Sequence, residues 1–201
     1  MSVNKWKLRL PSLQGGGDGR HSKAILEELI GIIAGDGCLA SDGETIKIDI
    51  NSKEDLLKQR IIQLFKLFFD KEVKVRRNKG NWITLTVYSK KIHNFLTSYL
   101  PIGKKAGKLS MVPITPHSLR GIFLTDGYLE WGRRKEVCIV SKDYNFLENI
   151  SKFLASHSIN SKIYTRKSGF KKPTTTFALR IFRSEDIIKF LSLIDVAFEW
   201  P

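Results

Sequence analysis

The 201-residue sequence has only two cysteines, Cys38 and Cys138, and each lies among apolar neighbours. Two cysteines cannot crosslink a chain of this length, and a structural zinc site needs four ligands. We therefore expect both to be reduced packing residues in a reducing compartment. No apolar run approaches membrane-spanning length, and the N-terminus has no apolar stretch of the signal-peptide kind. These absences favour a soluble, intracellular protein with no membrane partner.

Motifs of several common enzyme classes are missing as well. The four histidines are scattered through the chain without the spacing of a metal site. No glycine-rich phosphate loop follows a predicted strand, and no nucleophile elbow is present. Chemistry that depends on these motifs is therefore not supported.

Acidic residues are scarce relative to basic ones. The sequence has 20 Asp and Glu against 34 Lys and Arg, which gives a net charge of +14. The excess is spread along the chain, with 20 basic and 11 acidic residues in 1–110 and 14 and 9 in 111–201. Such an excess favours a polyanionic partner, of which nucleic acid is the commonest. A protein with merely solvated lysines is the alternative.

Residues 1–20 form a basic tail with a glycine run, which we expect to be disordered unless something such as a DNA backbone holds it. The remaining chain repeats one predicted order, αββαββα, in residues 21–99 and 116–201, around a linker at 100–115. Ser22 and Ser52 are predicted to cap the two long helices of the first half, and Leu56 to face inward on the second. The offset of about 90 residues is too long for a solenoid and indicates two fused halves.

The first helix of each half carries small residues four apart and ends in Asp-Gly. These residues are Gly31, Gly35, Asp36 and Gly37 in one half and Gly121, Thr125, Asp126 and Gly127 in the other. Small residues allow two helices to approach closely, and the last glycine suits a left-handed helix end. A carboxylate there meets an unfavourable helix dipole and a like-charged neighbour, which divalent cations such as Mg²⁺ relieve. A plain helix stop is the alternative, and the second copy argues against it.

With these motifs, residues 22–200 resemble the LAGLIDADG homing endonucleases. The resemblance implies an α+β monomer of two pseudo-symmetric αββαββα halves, whose antiparallel sheets form a DNA-binding saddle. It also implies that Asp36 and Asp126 bind two or three catalytic Mg²⁺ ions at the joined helix ends, beside Gly35 and Thr125, with Mn²⁺ or Ca²⁺ able to substitute in binding. Gly31, Gly35, Gly121 and Thr125 would form the helix interface. The implied activity is cleavage of both strands of a long, pseudo-palindromic duplex, by an enzyme encoded within an intron or intein.

Lysines near the predicted strand ends form a second set of candidates. Lys53 and Lys142 each follow a serine at the entry to a helix, where the family often carries a lysine near the scissile phosphates. Their implied role is catalytic, holding water or offsetting charge in the transition state. A capping serine followed by a solvated lysine is the alternative. Lys104, Lys105 and Lys108 of the linker resemble a basic segment of relatives, or are simply solvated.

The outward faces of the predicted strands supply the candidate DNA-binding surface. Strand alternation assigns to it polar, basic and aromatic side chains, and four arginines lie at or near hairpin tips. The first half contributes Lys47, Asn51, Arg76, Arg77, Trp82, Thr84, Thr86 and Tyr88. The second contributes Arg133, Arg134, Lys162, Tyr164, Arg166, Thr176 and Arg180. Exposed strand faces are polar in any case, so no single base contact is assigned.

Two other functions use the same features. An RNA maturase that assists intron splicing would need the same positive charge, and an RNA-dependent splicing assay would distinguish it. A DNA-binding regulator on this scaffold without catalysis would be expected to lack the paired carboxylates, and both are present.

Overall fold

The computed structural model of the protein describes residues 8–11, 19–103, 109–132, 134–168 and 174–198. A short strand, β1 (Leu8–Arg9), precedes the first half. That half contains α1 (Gly19–Asp36), β2 (Gly37–Leu39), β3 (Thr45–Asn51), α2 (Asp55–Phe69), β4 (Lys74–Arg77), β5 (Trp82–Tyr88) and α3 (Lys90–Leu96).

The second half has the same order of elements. It contains α4 (Pro116–Asp126), β6 (Gly127–Trp131), β7 (Lys135–Ser141), α5 (Tyr144–Ser156), β8 (Lys162–Ser168), β9 (Thr174–Ile181) and α6 (Ser184–Leu193), and it is followed by β10 (Ala197–Phe198). The predicted αββαββα repeat is confirmed. No helix in the described part of the chain is both long and apolar enough to span a bilayer.

Each half builds one four-stranded antiparallel sheet, ordered β2-β3-β5-β4 in the first and β6-β7-β9-β8 in the second. Because side chains alternate along a strand, one face of each sheet covers the core. In β5 this face consists of Ile83, Leu85 and Val87, all buried, whereas Trp82 and Tyr88 at its ends are exposed. The predicted alternation of this strand is confirmed, and it fixes the opposite face of the sheet, called the groove face below.

The predicted helix starts in the first half were wrong. Ser22 lies inside α1, and α2 begins only at Asp55, where the N-cap residue Glu54 makes no side-chain capping bond. The buried stripe of α2 therefore runs through Leu57, Ile61, Leu64 and Phe65. Leu56, one residue before this stripe, is 67% exposed because successive helical residues are rotated by about 100°.

The N-terminal tail was also predicted incorrectly where the structure describes it. The backbone of β1 pairs antiparallel with β10, a strand that the sequence pattern did not indicate. The guanidinium of Arg60 donates to the carbonyl oxygen of Pro11 at 2.6 Å. Residues 8–11 are therefore held by the protein itself and need no DNA backbone to order them.

Candidate functional site

The helices α1 and α4 pack as a parallel pair between the two halves, with their backbones in contact. A Cβ added to Gly31 would lie 2.8 Å from the carbonyl carbon of Ser118, and one added to Gly121 would lie 2.6 Å from the backbone nitrogen of Ile32. Real Cβ atoms essentially never approach backbone atoms so closely. Glycine at these two positions is therefore what lets the helices run side by side to their ends.

The paired helices bring the two Asp-Gly motifs to one end of the interface. A Cβ added to Gly35 would lie 2.7 Å from Cβ of Thr125 and 3.4 Å from Oδ2 of Asp126. The carboxylate of Asp126 thus reaches across to the last turn of α1, where Asp36 is the final residue. Both carboxylates are half-buried at helix C-termini, where the helix dipole disfavours negative charge.

The glycines after the two aspartates serve a different purpose from the predicted one. Gly127 is extended, with φ −101° and ψ 160°, and Gly37 is the first residue of a strand, so neither is a left-handed helix end. A Cβ on Gly37 would lie 2.6 Å from Cα of Ile33, and one on Gly127 would lie 2.5 Å from the carbonyl oxygen of Phe123. Glycine lets each chain turn directly from its helix into a strand against the preceding turn.

A cleft of about 810 Å³ opens where the helix ends meet the second sheet. Gly35 and Asp126 line it from the helix side, and Ser141, Lys142 and Thr176 line it from the sheet side. Within the described residues, no group of three or more His, Cys, Asp or Glu side chains is placed to hold a metal. A metal bound beside Asp36 and Asp126 would therefore need further oxygen ligands, which water or phosphate can supply.

The two candidate lysines are not equivalent in the structure. Both directly precede the N-cap residue of a helix, yet only Lys142 lines the cleft; Lys53 is exposed outside it. Gly37 pairs with Ile48 and Gly127 pairs with Ile139, so the strand counterpart of Lys142, three residues after Ile139, is Asn51. The two lysines thus match in their position before a helix, as predicted, but they do not match in strand register.

On the groove face of the first sheet, Lys47, Arg76, Trp82 and Tyr88 are exposed and Asn51 and Thr84 are partly exposed. Two residues predicted for the DNA-binding surface, Thr86 and Arg77, are not exposed on this face. Thr86 is only 8% exposed because it lies in a central strand between Lys47 and Lys74.

Arg77, predicted to bind DNA from near a hairpin tip, does not lie on the groove face. It pairs with the core-facing Ile83, one residue past the pairing of Arg76 with Thr84. Arg77 is exposed, but it lines a crevice with Ser52, Asp55 and Lys58 on the helix side of the sheet. Successive strand residues point to opposite faces, so Arg76 and Arg77 cannot both reach the groove.

On the second sheet, Lys162, Tyr164 and Arg166 are exposed on the groove face, and Thr176 and Arg180 are half-buried. Arg134 is exposed at the turn between β6 and β7. Arg133 and the linker lysines Lys104, Lys105 and Lys108 lie outside the described residues.

Sequence patterns did not indicate a buried ion cluster at the helix pair. Glu28 of α1, fully buried, accepts from Arg60 through both carboxylate oxygens at 2.7 Å and from Arg120 of α4 at 2.8 Å. Arg120 also donates to the carbonyl oxygen of Ile194 at 3.2 Å. The cluster links both halves. The one available signal was a charged residue on the apolar face of each helix.

Comparisons with known proteins agree with this architecture. A LAGLIDADG-like domain model matches residues 117–195, and a WhiA LAGLIDADG-like domain model matches residues 27–101. A DNA polymerase of Methanocaldococcus jannaschii is 29% identical over 190 residues; the match covers 85% of this chain and 11% of that protein. The chain thus spans only a small part of the length of this curated relative.

Solved structures of two proteins illustrate the similarity in fold. A structure of a mesophilic variant from the homing endonuclease I-DmoI has a TM-score of 0.60 and 21% identity, covering 86% of this chain and 96% of that one. I-DmoI has also been solved in complex with DNA and Ca, and with DNA and Mn. The N-terminal LAGLIDADG domain of DUF199/WhiA has a TM-score of 0.61 and 21% identity, covering 86% and 83%. The two domain models fall one on each half, and together with these solved structures they show that the chain has the LAGLIDADG fold.

Proposed function

We propose that the protein is a site-specific double-strand DNA endonuclease of the homing type, encoded within an intron or intein. The observation that carries the proposal is the position of the Asp126 carboxylate over Gly35, at the helix end that also carries Asp36. Two carboxylates from different halves at one interface can serve the two strands of a duplex. A protein that only binds DNA has no need to place like charges there, since they repel phosphate.

The donor atoms at the helix ends fit Mg²⁺. Asp36 and Asp126 would hold it together with backbone carbonyl oxygens of Gly35 and Thr125, an all-oxygen set of the kind that Mg²⁺ prefers. When bound, the metal lowers the pKa of a water nucleophile and stabilises charge on the phosphate. The chain itself orients the site through the rigid helix pair, and Lys142 places a cation in the same cleft as Asp126.

The two sheets supply a surface for a long duplex. Exposed Lys47, Arg76, Lys162 and Arg166 lie on groove faces in a chain with a net charge of +14. Polar side chains on antiparallel ribbons suit contacts in the major groove. Because binding would release counterions from many phosphates, affinity should fall steeply as salt rises. The two halves differ in sequence, so the target is an imperfect palindrome bound by one chain.

A cleavage-site selection from a randomised duplex library in Mg²⁺ tests the proposal. We expect one long sequence to be cut on both strands by the parent protein. Asp36→Asn and Asp126→Asn should each abolish double-strand cleavage while keeping specific binding, because metal binding and water activation need the carboxylates. Cleavage at the parent rate by either variant would refute the assignment, as would a parent protein that binds one duplex sequence but never cuts it.

The second candidate is a DNA-binding protein on this scaffold that does not cleave. The match of the first half to the WhiA domain model favours it. It makes the opposite prediction for the selection, with specific binding in Mg²⁺ and no strand breaks. In that case the aspartate-to-asparagine variants would have no cleavage to lose.

A further inference from the structure

A carboxylate lies buried on the groove face of the second sheet. Glu136 of β7 is 6% exposed, and its Oε1 accepts a hydrogen bond from the hydroxyl of Tyr128 at 2.7 Å. Its Oε2 accepts from Nη1 of Arg180 at 3.3 Å. An acidic residue on a surface for DNA repels phosphate, and burying it costs free energy unless it is paired. The contacts of Glu136 therefore indicate that it positions the side chains of Tyr128 and Arg180.

The neighbour with a free binding edge is Arg180. Its guanidinium carbon lies 5.7 Å from the ring centre of Tyr164, which in turn lies 6.0 Å from the ring of Phe182. Its side chain remains 26% exposed. Among the described residues Glu136 accepts from Nη1 alone, and Nε is buried, so the other N–H groups at the tip of the guanidinium remain for a ligand. Two parallel N–H groups match the O6 and N7 acceptors that guanine presents in the major groove.

We propose that Arg180 reads a guanine in the half-site bound by the second sheet, and that Glu136 and Tyr164 position its guanidinium for that contact. The inference rests on the proposed function in so far as it requires a DNA duplex on the groove face. Pre-ordering the side chain lowers the entropy lost on binding, which is the physical gain from holding a flexible arginine between a carboxylate and a ring.

Among the described residues, the first half has no equivalent of this arrangement. Strand pairing aligns Tyr128, Cys138, Arg180 and Lys162 across the second sheet. The corresponding row of the first sheet is Cys38, Lys47, Thr86 and Lys74, so a buried threonine replaces the arginine. The guanine preference should therefore occur in one half-site only. Tyr128, which lies in the same row as Arg180, follows Asp126 by two residues, ~7 Å of extended chain, so the base pair should lie close to the cleavage centre.

The test is a selection of bound duplexes from a randomised library without divalent metal, so that no cleavage is needed. The parent protein should enrich guanine at one base pair of one half-site, at the end of that half-site nearest the cleavage centre. Arg180→Lys keeps the positive charge but removes the two parallel N–H groups of the guanidinium. We expect the guanine preference at this base pair to fall roughly tenfold or more, while affinity for other sequences changes little. Glu136→Gln should weaken the preference at the same base pair.

Arg183→Lys is the matched control, because Arg183 is exposed at the N-cap position of α6, beyond the end of β9 and outside the sheet. It should leave the preference at that base pair unchanged. Thermal melting of each variant checks folding, and Arg180→Lys carries the test if Glu136→Gln is unstable. An unchanged guanine preference in Arg180→Lys, or an equal loss of affinity for all sequences, would overturn the inference. A parent protein that selects this base pair but cuts no DNA in Mg²⁺ would support it while refuting the nuclease.

Discussion

The carboxylate of Asp126 lies over Gly35 of the opposite central helix, 3.4 Å from where a Cβ of residue 35 would be. This places an acidic group of the second half against the motif of the first. Packing and chemistry are therefore coupled at the helix pair, because the same close approach that buries Gly31 and Gly121 brings the two Asp-Gly ends together.

The glycines of the helix crossing give the first prediction. Alanine normally stabilises a helix interior relative to glycine by about 1 kcal/mol. Here we expect the reverse: Gly31→Ala and Gly121→Ala should each lower the free energy of unfolding by about 1–3 kcal/mol, because the new methyl group would meet backbone that cannot move aside. Urea denaturation measures the change.

Gly132→Ala is the control for this comparison, since an added Cβ there has nothing within 4 Å and the residue lies outside the helices. Its effect should be small. If Gly31→Ala were as stable as the Gly132→Ala protein, the two helices would not be in the close contact described.

The unequal lysines give the second prediction. Lys142 lines the cleft beside Asp126 and Lys53 does not, so Lys142→Ala should slow cleavage more than it weakens binding, whereas Lys53→Ala should have the smaller effect on cleavage. Because only one half carries a lysine at this strand position, we expect Lys142→Ala to slow one strand more than the other. Nicked plasmid should then accumulate before linear product. Equal slowing of both strands, or equal effects of the two variants, would contradict this.

The Glu28 cluster gives the third prediction. Glu28→Ala would leave Arg60 and Arg120, each about 5% exposed, without their shared carboxylate. Removing one partner of a buried ion pair costs about 3–5 kcal/mol, so the variant should be strongly destabilised. Glu148→Ala is the matched control, because Glu148 makes an exposed pair with Lys152 within α5 that contributes about 0.5 kcal/mol or less. A loss no greater than that of the control would show that the cluster is not needed for folding.

The sequence predicted the elements that depend on local pattern. Alternation in β5 placed Ile83 and Leu85 in the core, and the duplicated Asp-Gly motifs identified the two helices that pair. Long-range contacts were not predictable in this way. The pairing of β1 with β10, for example, joins the two ends of the described chain.

The same limit applies within the candidate site. Spacing along the chain equated Lys53 with Lys142, because both precede a helix by the same number of residues. Strand register, which depends on cross-strand pairing, instead makes Asn51 of the first half the counterpart of Lys142 in the second half. The partners of Glu28 lie 32 and 92 residues away along the chain. Arg180, the arginine partner of Glu136, lies 44 residues away. A single strand or helix carries no signal for such partners.

The last prediction concerns pH. Burial lowers the pKa of His117 from its usual 6.5, and Arg120, whose Nη2 lies 3.3 Å from Nδ1, lowers it further; Glu27, Glu28 and Asp195 act in the opposite direction. The folded protein therefore binds a proton at His117 less readily than the unfolded chain does. This contribution to stability is complete above pH 6.5 and is lost as the pH falls from 6.5 through the lowered pKa.

His117→Gln should remove this contribution, so the loss of unfolding free energy between pH 7 and pH 5 should be smaller in the variant than in the parent. Urea denaturation at a series of pH values measures the difference, and NMR titration of the His117 ring provides its pKa directly. A ring that titrates at or above 6.5 in the folded protein would contradict the prediction, because His117 would then favour folding at low pH.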